Sequence, residues 1–364
     1  MTTNVVFTRY LYNDDEVVLT FIESLLSKKE LTECYFWISE YYKSGFEVET
    51  WNLLWKIYYD FYALNYPKLE TKIKQYYNKW KEDNRFIHVM NVVINYYRFS
   101  NNTSYDVFLL RVYYCNRLFT LFKRDTEFRL MKYDYKNKYE TLLVRAIVEK
   151  CWKSISFYLK KCIKSPHLMD LLEKILERKI KVNENYDNLF HQLLVNIIMN
   201  DPKKSDYYFK KANTKDFNSV IEADISCRND GKHEDISYVY KTLPQKRLYG
   251  ISSKIGCFKL KRRNVELNKI FWYHWEYFAS FSPLWRGRFD KYELNIDHEN
   301  KIINFINDDD CEEFYEAYGY EPDEQSKEVQ ELSTKEIPYI RLDTWINKLF
   351  KNKLARKIRT KIEY

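Results

Sequence analysis

The sequence predicts a mainly α fold: an irregular array of antiparallel helix pairs, solenoid-like or bundled, with a smaller mixed, loop-rich C-terminal region. Three observations carry this. Only 6 of the 364 residues are Gly, and none lies between Gly45 and Gly231. A soluble chain normally carries about 7% Gly, and sandwiches and barrels need frequent Gly/Pro turns. Apolar residues recur at helical spacing over most of the first half. The 34 Tyr, 23 Phe and 9 Trp supply aromatic faces broad enough to bury helix against helix.

The elements follow in order. Asn13, Asp14, Asp15 and Glu16 open a first helix whose apolar residues are Val17, Val18, Phe21, Ile22, Leu25 and Leu26. After the polar break 27–30, a helix over 31–43 sets Leu31, Cys34, Tyr35, Ile38 and Tyr42 on one side, and Gly45 stands where a helix-terminating Gly belongs. A helix over 47–64 carries Val48, Trp51, Leu54, Trp55, Tyr58 and Phe61 and ends before Pro67. Segments 68–82 and 85–99 form the next pair, and the polar tract 100–104 is a loop. Segment 106–123 is apolar and aromatic. Segments 139–149 and 151–163 form a tight pair, and helices are expected at 166–178, 186–199 and 202–212. No tetratricopeptide, ankyrin or HEAT period holds, so the repetition is architectural.

Helical periodicity fades near Ser226. Residues 227–263 hold Gly231, Gly250 and Gly256 together with Pro244. A very aromatic helix is expected over 266–281, ending before Pro283. Segments 292–295 and 301–305 around Asp297, His298, Glu299 and Asn300 predict a small hairpin. The chain length favours several sub-domains, divided as 1–100 (N-terminal hairpins), 101–225 (second helical array), 226–307 (mixed aromatic and basic, with the hairpin), 308–341 (acidic) and 342–364 (a basic amphipathic C-terminal helix).

Composition excludes several function classes. Neither a G-x-G-x-x-G nor a G-x-x-x-x-G-K-[ST] occurs, and phosphate loops need such glycines, so no cofactor is expected. Lys+Arg 60 against Asp+Glu 52 gives a net charge of +8, which permits nucleic-acid contact without requiring it. Cys34, Cys115, Cys151, Cys162, Cys227, Cys257 and Cys311 are scattered without a C-x-x-C, as in a reducing compartment. No basic-then-apolar leader opens the chain, and no run approaches 18 apolar residues. An intracellular protein without a transmembrane segment is expected.

Catalytic chemistry finds no motif. His88, His167, His191, His233, His274 and His298 are isolated, without the local ligand pairs of zinc sites. There is no G-x-S-x-G, and Cys34 and Cys151 sit in apolar helical patterns as small hydrophobes. Neither a metal, a catalytic residue nor enzymatic activity is expected.

The charge pattern speaks instead of surfaces. Segment 308–331 holds eleven acids against Lys327, with an aromatic comb that ordinary solvating tails lack. Asp308, Asp309, Asp310, Glu312, Glu313, Glu316, Tyr318, Tyr320, Glu321, Asp323 and Glu324 are candidates for docking a basic partner, or for folding back on the chain's own basic surface. Segment 241–263 holds Lys241, Lys246, Arg247, Lys254, Lys259, Lys261, Arg262 and Arg263 without an acid, interleaved with Tyr249 and Phe258. That is a composition for gripping phosphates and stacking unpaired bases. In segment 342–362, Lys348, Lys351, Lys353, Arg356, Lys357, Arg359 and Lys361 flank an apolar stripe through Trp345, Leu349, Leu354 and Ile358. Such a helix fits an anionic membrane surface, a nucleic acid, a partner groove or the chain's own core. Arg286, Arg288 and Lys291 stand where they could fix the acids at 308–313.

The strings FTRYLY (7–12), YFWISEYYKSGFE (35–47), WEYFASFSPLW (275–285) and YGYEPDEQ (318–325), in a chain rich in Lys, Asn, Ile and Tyr, resemble an uncharacterised protein family of giant DNA viruses, mimivirus-like and related algal viruses. The resemblance implies a viral product of the host cytoplasm, in the viral factory or the virion, and brings no catalytic residues. The expectation is therefore a non-enzymatic helical scaffold with viral or host protein partners. The alternative is RNA or DNA binding through 241–263 and the C-terminal helix.

Overall fold

The computed structural model describes residues 5–114, 138–199, 207–217, 249–252, 266–318 and 327–328. The fold is mainly α-helical, with one two-stranded sheet among the described residues. Two compact units arise, and neither is one continuous stretch of sequence. Among the described residues, the first draws on 5–51, 85–100, 210–217, 249–252, 266–318 and 327–328, and the second on 52–84, 101–114, 138–199 and 207–209.

In the first unit, helix α1 (Asp14–Leu26) begins where the Asn13 side chain accepts the Asp15 N–H, with three acids in its first turn favoured by the helix dipole. Helix α2 (Leu31–Tyr42) packs on α1, and both meet α5 (Ile87–Phe99). Val17, Phe21 and Leu25 of α1, Cys34, Trp37 and Ile38 of α2, and Val89, Val93 and Tyr96 of α5 are buried as the core. The N-terminal loop is closed by a bridge between Phe7 and Asn13, with Leu11 at φ 58°. Buried Arg9 meets Glu40 at 2.7 Å, and Trp285 Nε1 donates to the Thr8 carbonyl at 3.1 Å.

Gly45 takes φ +90°, and a Cβ there would stand 2.6 Å from the Pro283 Cβ. The residue closing α2 is Lys43, so Gly45 serves a close approach as well as a turn.

In the second unit, helix α3 (Glu47–Ile57), whose first residues belong to the first unit, continues without a break into a π-helical turn, Tyr58–Tyr62. Val48, expected on the apolar side of α3, is exposed. Helix α4 (Leu69–Asp83) follows. Helix α6 (Asp106–Leu109) likewise runs into a π turn, Leu110–Tyr114. Helices α7 (Lys138–Val148) and α8 (Trp152–Cys162) form the expected pair, followed by α9 (Leu168–Leu176) and α10 (Leu189–Ile198).

Two expected helices are corrected. The described part of 202–212, residues 207–212, is not helical. Lys210 N–H donates to Asn95 Oδ1, Asn95 Nδ2 donates back to the Lys210 carbonyl, and Ala212 N–H donates to Asn91 Oδ1, at 2.8–2.9 Å. Residues four apart on a helix rise about 6 Å, and alternate residues of an extended chain about 6.6 Å. The two asparagines thus offer an extended segment the polar partners that helix formation would otherwise supply.

The aromatic helix over 266–281 is broken into α11 (Leu267–Tyr273) and α12 (Trp275–Ala279) at His274, φ −144°. The His274 ring nitrogen Nδ1 lies 3.0 Å from the Lys301 carbonyl oxygen. Helix α13 (Pro283–Phe289) starts on the Ser282 cap with Pro at its first position. Strands β1 (Leu294–Asp297) and β2 (Ile302–Phe305) form the expected hairpin, with Leu294 opposite Phe305 and Asp297 opposite Ile302. Asp297 caps its turn by accepting the Glu299 and Asn300 N–H groups, both at 2.9 Å. Helix α14 (Asp308–Tyr318) closes the described part of this unit except for 327–328.

Candidate functional site

The densest buried polar cluster lies in the second unit, on its two π turns. Asp60, in the middle of Tyr58–Tyr62, takes two hydrogen bonds from Arg111 of Leu110–Tyr114, at 2.9 and 2.8 Å. His191 of α10 brings Nε2 within 3.4 Å of the same carboxylate, and its Nδ1 lies 2.7 Å from the Tyr186 hydroxyl. Tyr186 stacks on Tyr59, whose hydroxyl donates to Glu70 at 2.6 Å. A π turn carries one residue more than an α turn and re-aims the side chains around it. Here it brings Asp60 onto Arg111 in a stretch, 57–63, that is buried throughout.

The electrostatics follow from burial. Desolvation is the largest influence on the Asp60 carboxyl and pushes it up, but Arg111, His191 and Lys56 together outweigh it and hold it below the usual carboxylate range. Burial pushes His191 down to about 4 against the pull of Asp60, so the ring is neutral at pH 7. Tyr59 and Tyr186 are pushed far up, chiefly by burial, and remain protonated. These groups partner one another, so the cluster acts first as a clamp between helices. The sequence gives little local signal for it, since its members lie 51 and 80 residues apart in the chain. The one hint is an acid inside the aromatic run YYDFY.

Two buried thiols are inert as nucleophiles. Burial raises the thiols of Cys34 and Cys162 to about 12, and a protonated buried thiol does not attack. Among the described residues, no group of three or more His, Cys, Asp or Glu side chains is placed to hold a metal ion.

The second candidate is the hairpin–helix module of the first unit. Asn307 caps α14 by accepting the Asp310 N–H at 2.8 Å, and Asp310 in turn accepts the Glu293 N–H at 3.2 Å. Phe314 is fully buried, stacked on Phe289 at 4.6 Å and packed against Phe305 at 5.2 Å and Tyr292 at 5.8 Å. Arg288 lies between the rings of Trp285 and Tyr318, 4.4 and 4.9 Å from their centroids, and Lys291 Nζ donates to the Tyr318 hydroxyl at 2.7 Å. Two of the cations expected to fix the acids at 308–313, Arg288 and Lys291, grip Tyr318 instead. The aromatic comb is therefore the anchor of α14. Asp308, Asp309, Glu312, Glu313 and Glu316 are left exposed on it.

Of the other sequence-derived candidates, Tyr249 is held within the first unit. Its ring meets Phe36 at 5.2 Å, and its carbonyl accepts the Tyr12 hydroxyl at 2.8 Å. Lys241, Lys246, Arg247, Lys254, Lys259, Lys261, Arg262 and Arg263 lie outside the described residues. So do Lys351, Lys353, Arg356, Lys357, Arg359, Lys361, Tyr320, Glu321, Asp323 and Glu324.

Fold and site together define a mainly helical protein with a closed buried charge clamp in one unit and an anchored acidic helix in the other. Comparison with protein-family models, curated proteins and solved structures returns no match. No described helix is long and apolar enough to cross a membrane.

Proposed function

We propose that this chain is a non-enzymatic α-helical interaction scaffold of a giant DNA virus, acting in the cytoplasmic viral factory or the virion and holding viral or host proteins. The observation that carries the reading is the way α14 is mounted. Phe314 and Tyr318 are spent on anchoring, while the carboxylates face solvent on a fixed helix. A merely solubilising acidic tail needs no such anchor. The buried cluster supports the same reading, since its titratable groups are engaged with one another. The viral setting rests on the resemblance of the four sequence strings.

The test is capture with the purified full chain from nuclease-treated extract of infected cells, followed by reconstitution with the purified partner. A partner that survives nuclease and binds the chain directly is the expected result. Recovery that vanishes with nuclease, together with RNA or DNA affinity falling steeply with salt, would replace this reading with the nucleic-acid alternative through 241–263 and the C-terminal basic segment.

A further inference from the structure

Helix α5 carries a seat that reads main chain rather than side chains. Asn91 and Asn95 stand one turn apart on it. Each turns its Nδ2 back to the carbonyl four residues earlier, Asn95 to Asn91 at 2.7 Å and Asn91 to Ile87 at 2.8 Å. These back-bonds lie within the helix and fix which end of each amide faces outward. Oδ1 of Asn95 accepts the Lys210 N–H while its Nδ2 also donates to the Lys210 carbonyl, and Oδ1 of Asn91 accepts the Ala212 N–H. The seat is two positions long, since Ile87 and Phe99 stand one turn beyond it at either end.

The occupant, residues 210–212 of the same unit, contributes only its backbone. Lys210 and Lys211 are exposed, and no side chain of the three makes a hydrogen bond or ion pair among the described residues. Asn95, by contrast, is fully buried and Asn91 is 7% exposed. Lifting the segment breaks three hydrogen bonds and uncovers little apolar surface, which puts it among the least stable contacts of the unit. The seat outlasts that opening. Val89, Val93 and Tyr96 keep α5 in the core, and the two amides stay oriented by their own helix.

The chemistry of the seat selects its ligand. Two outward Oδ1 atoms need N–H donors, which a phosphate backbone lacks and a peptide backbone repeats. Four residues of helix rise about 6 Å, close to the roughly 6.6 Å between alternate residues of an extended chain. Resting on the scaffold reading, we infer that Asn91 and Asn95 form a binding site for an extended segment of a partner protein, which takes the place of residues 210–212 and is recognised through its main chain. The segment must offer N–H groups at its first and third residues, so proline is excluded at both.

The test uses the full chain with isotope-labelled asparagine. The side-chain amide resonances of Asn91 and Asn95, assigned from Asn91→Ala and Asn95→Ala, report at the seat itself. The probe is a peptide of residues 208–214, blocked at both ends. Lys210→Pro with Ala212→Pro in the chain removes both donors of the resident segment and leaves the seat intact. The tethered resident competes at an effective concentration of about millimolar, so this variant should bind the peptide about tenfold or more tightly than the parent, with both resonances shifting. Asn95→Ala in that background removes two hydrogen bonds and should weaken binding about tenfold. Lys210→Ser with Lys211→Ser in the peptide should leave its affinity unchanged, whereas Lys210→Pro with Ala212→Pro in the peptide should weaken it about tenfold. Amide exchange over 88–96 checks that α5 stays folded in each variant. In the unaltered chain, excess peptide should speed exchange of the Lys210 and Ala212 amides, a readout that needs no variant. A peptide that moves neither resonance overturns the inference, as does binding that survives the proline changes or is lost with the serine ones. Dimerisation of the proline variant that Asn95→Ala abolishes would assign the seat to a second copy of the chain and overturn it too. Capture of a partner that persists with Asn91→Ala and Asn95→Ala would leave the scaffold reading standing while this inference falls.

Discussion

Removing one member of the Asp60–Arg111 pair is expected to destabilise the second unit far more than removing both. Asp60 is 2% exposed, while the Arg111 side chain is 21% exposed. Arg111→Met would strand a buried carboxylate with no partner but His191 and the more distant charge of Lys56, and breaking a buried pair from one side costs about 3–5 kcal/mol. Asp60→Leu alone would leave a guanidinium that reaches solvent, and losing hydrogen bonds to a charged group costs about 1.5–3 kcal/mol. Asp60→Leu with Arg111→Met replaces the pair by apolar volume, a change often neutral or stabilising. The double variant should therefore lie within about 1 kcal/mol of the parent, a coupling of at least about 3 kcal/mol. Urea unfolding followed by circular dichroism measures the midpoints. Hydrogen exchange of peptides from 52–84 and 138–199 assigns the transition to the second unit, which matters because a chain of two units need not unfold in one step. Single variants each costing under about 1 kcal/mol, or a double variant as damaged as their sum, would refute the view of the cluster as a clamp.

Three further outcomes follow from the same physics. His191 lies near 4 when folded, against an ordinary value of 6.5, so between those values the unfolded chain binds more protons. Its contribution, on the order of 3 kcal/mol, is present in full above about pH 6.5 and lost as pH falls to 4. Urea midpoints of the parent should fall over this window, and those of His191→Gln should fall less; equal slopes would contradict the assignment. Gly45→Ala must both occupy φ +90° and place a Cβ 2.6 Å from Pro283, costing about 2–4 kcal/mol, read as a lowered melting temperature of the first unit. Glu177, exposed at the end of α9 with φ 52°, is the reverse case. Glu177→Gly should raise stability by about 0.5–1 kcal/mol, the left-handed strain relieved less the entropy of Gly.

Helix pairing was legible because apolar residues recur at helical spacing, even though burial runs without a gap over 34–40 of α2 and 88–96 of α5. Phe21, Leu25, Cys34 and Ile38, which the spacing puts on apolar sides, are buried, and Asn13 caps α1 where the sequence opens that helix; the short helix α13 and its Ser282 cap were not foreseen. The hairpin was legible from Asp297 and its polar turn. The two corrected helices share one cause: a polar side chain distant in sequence took over a role that periodicity assigns to the local backbone. Asn91 and Asn95 hold 210–212 extended, and His274 leaves the helix beside the Lys301 carbonyl. Asp60 was illegible for a related reason. An acid in an aromatic helix reads as the solvent side, but a π turn buried all round leaves it no solvent side, and Arg111 and His191, both far along the chain, receive it.

The glycine shortage explains why this fold leans so heavily on such side-chain devices. Six described non-Gly residues take positive φ: Leu11, Lys28, Asn84, Lys150, Glu177 and Lys301. Asn84 and Glu177 close α4 and α9, and Lys301 closes the hairpin turn. Each position other than asparagine carries roughly 1–2 kcal/mol of strain that Gly would remove. At the end of α9 that strain is offset by the bond from the Glu177 N–H to the Glu173 carbonyl. Gly45 departs from this pattern because there the obstacle is a neighbour, and no side-chain bond relieves a Cβ set against Pro283. At Gly45 the absent Cβ therefore marks where two backbones touch as well as where the chain turns. That contact joins the end of α2 to the start of α13, where Leu284 N–H donates to the Ser44 carbonyl. One turn further along α13, Trp285, Arg288 and Phe289 seat the acidic helix. The acidic helix is thus seated on an element whose first turn is held to the end of α2 by an approach that only Gly permits.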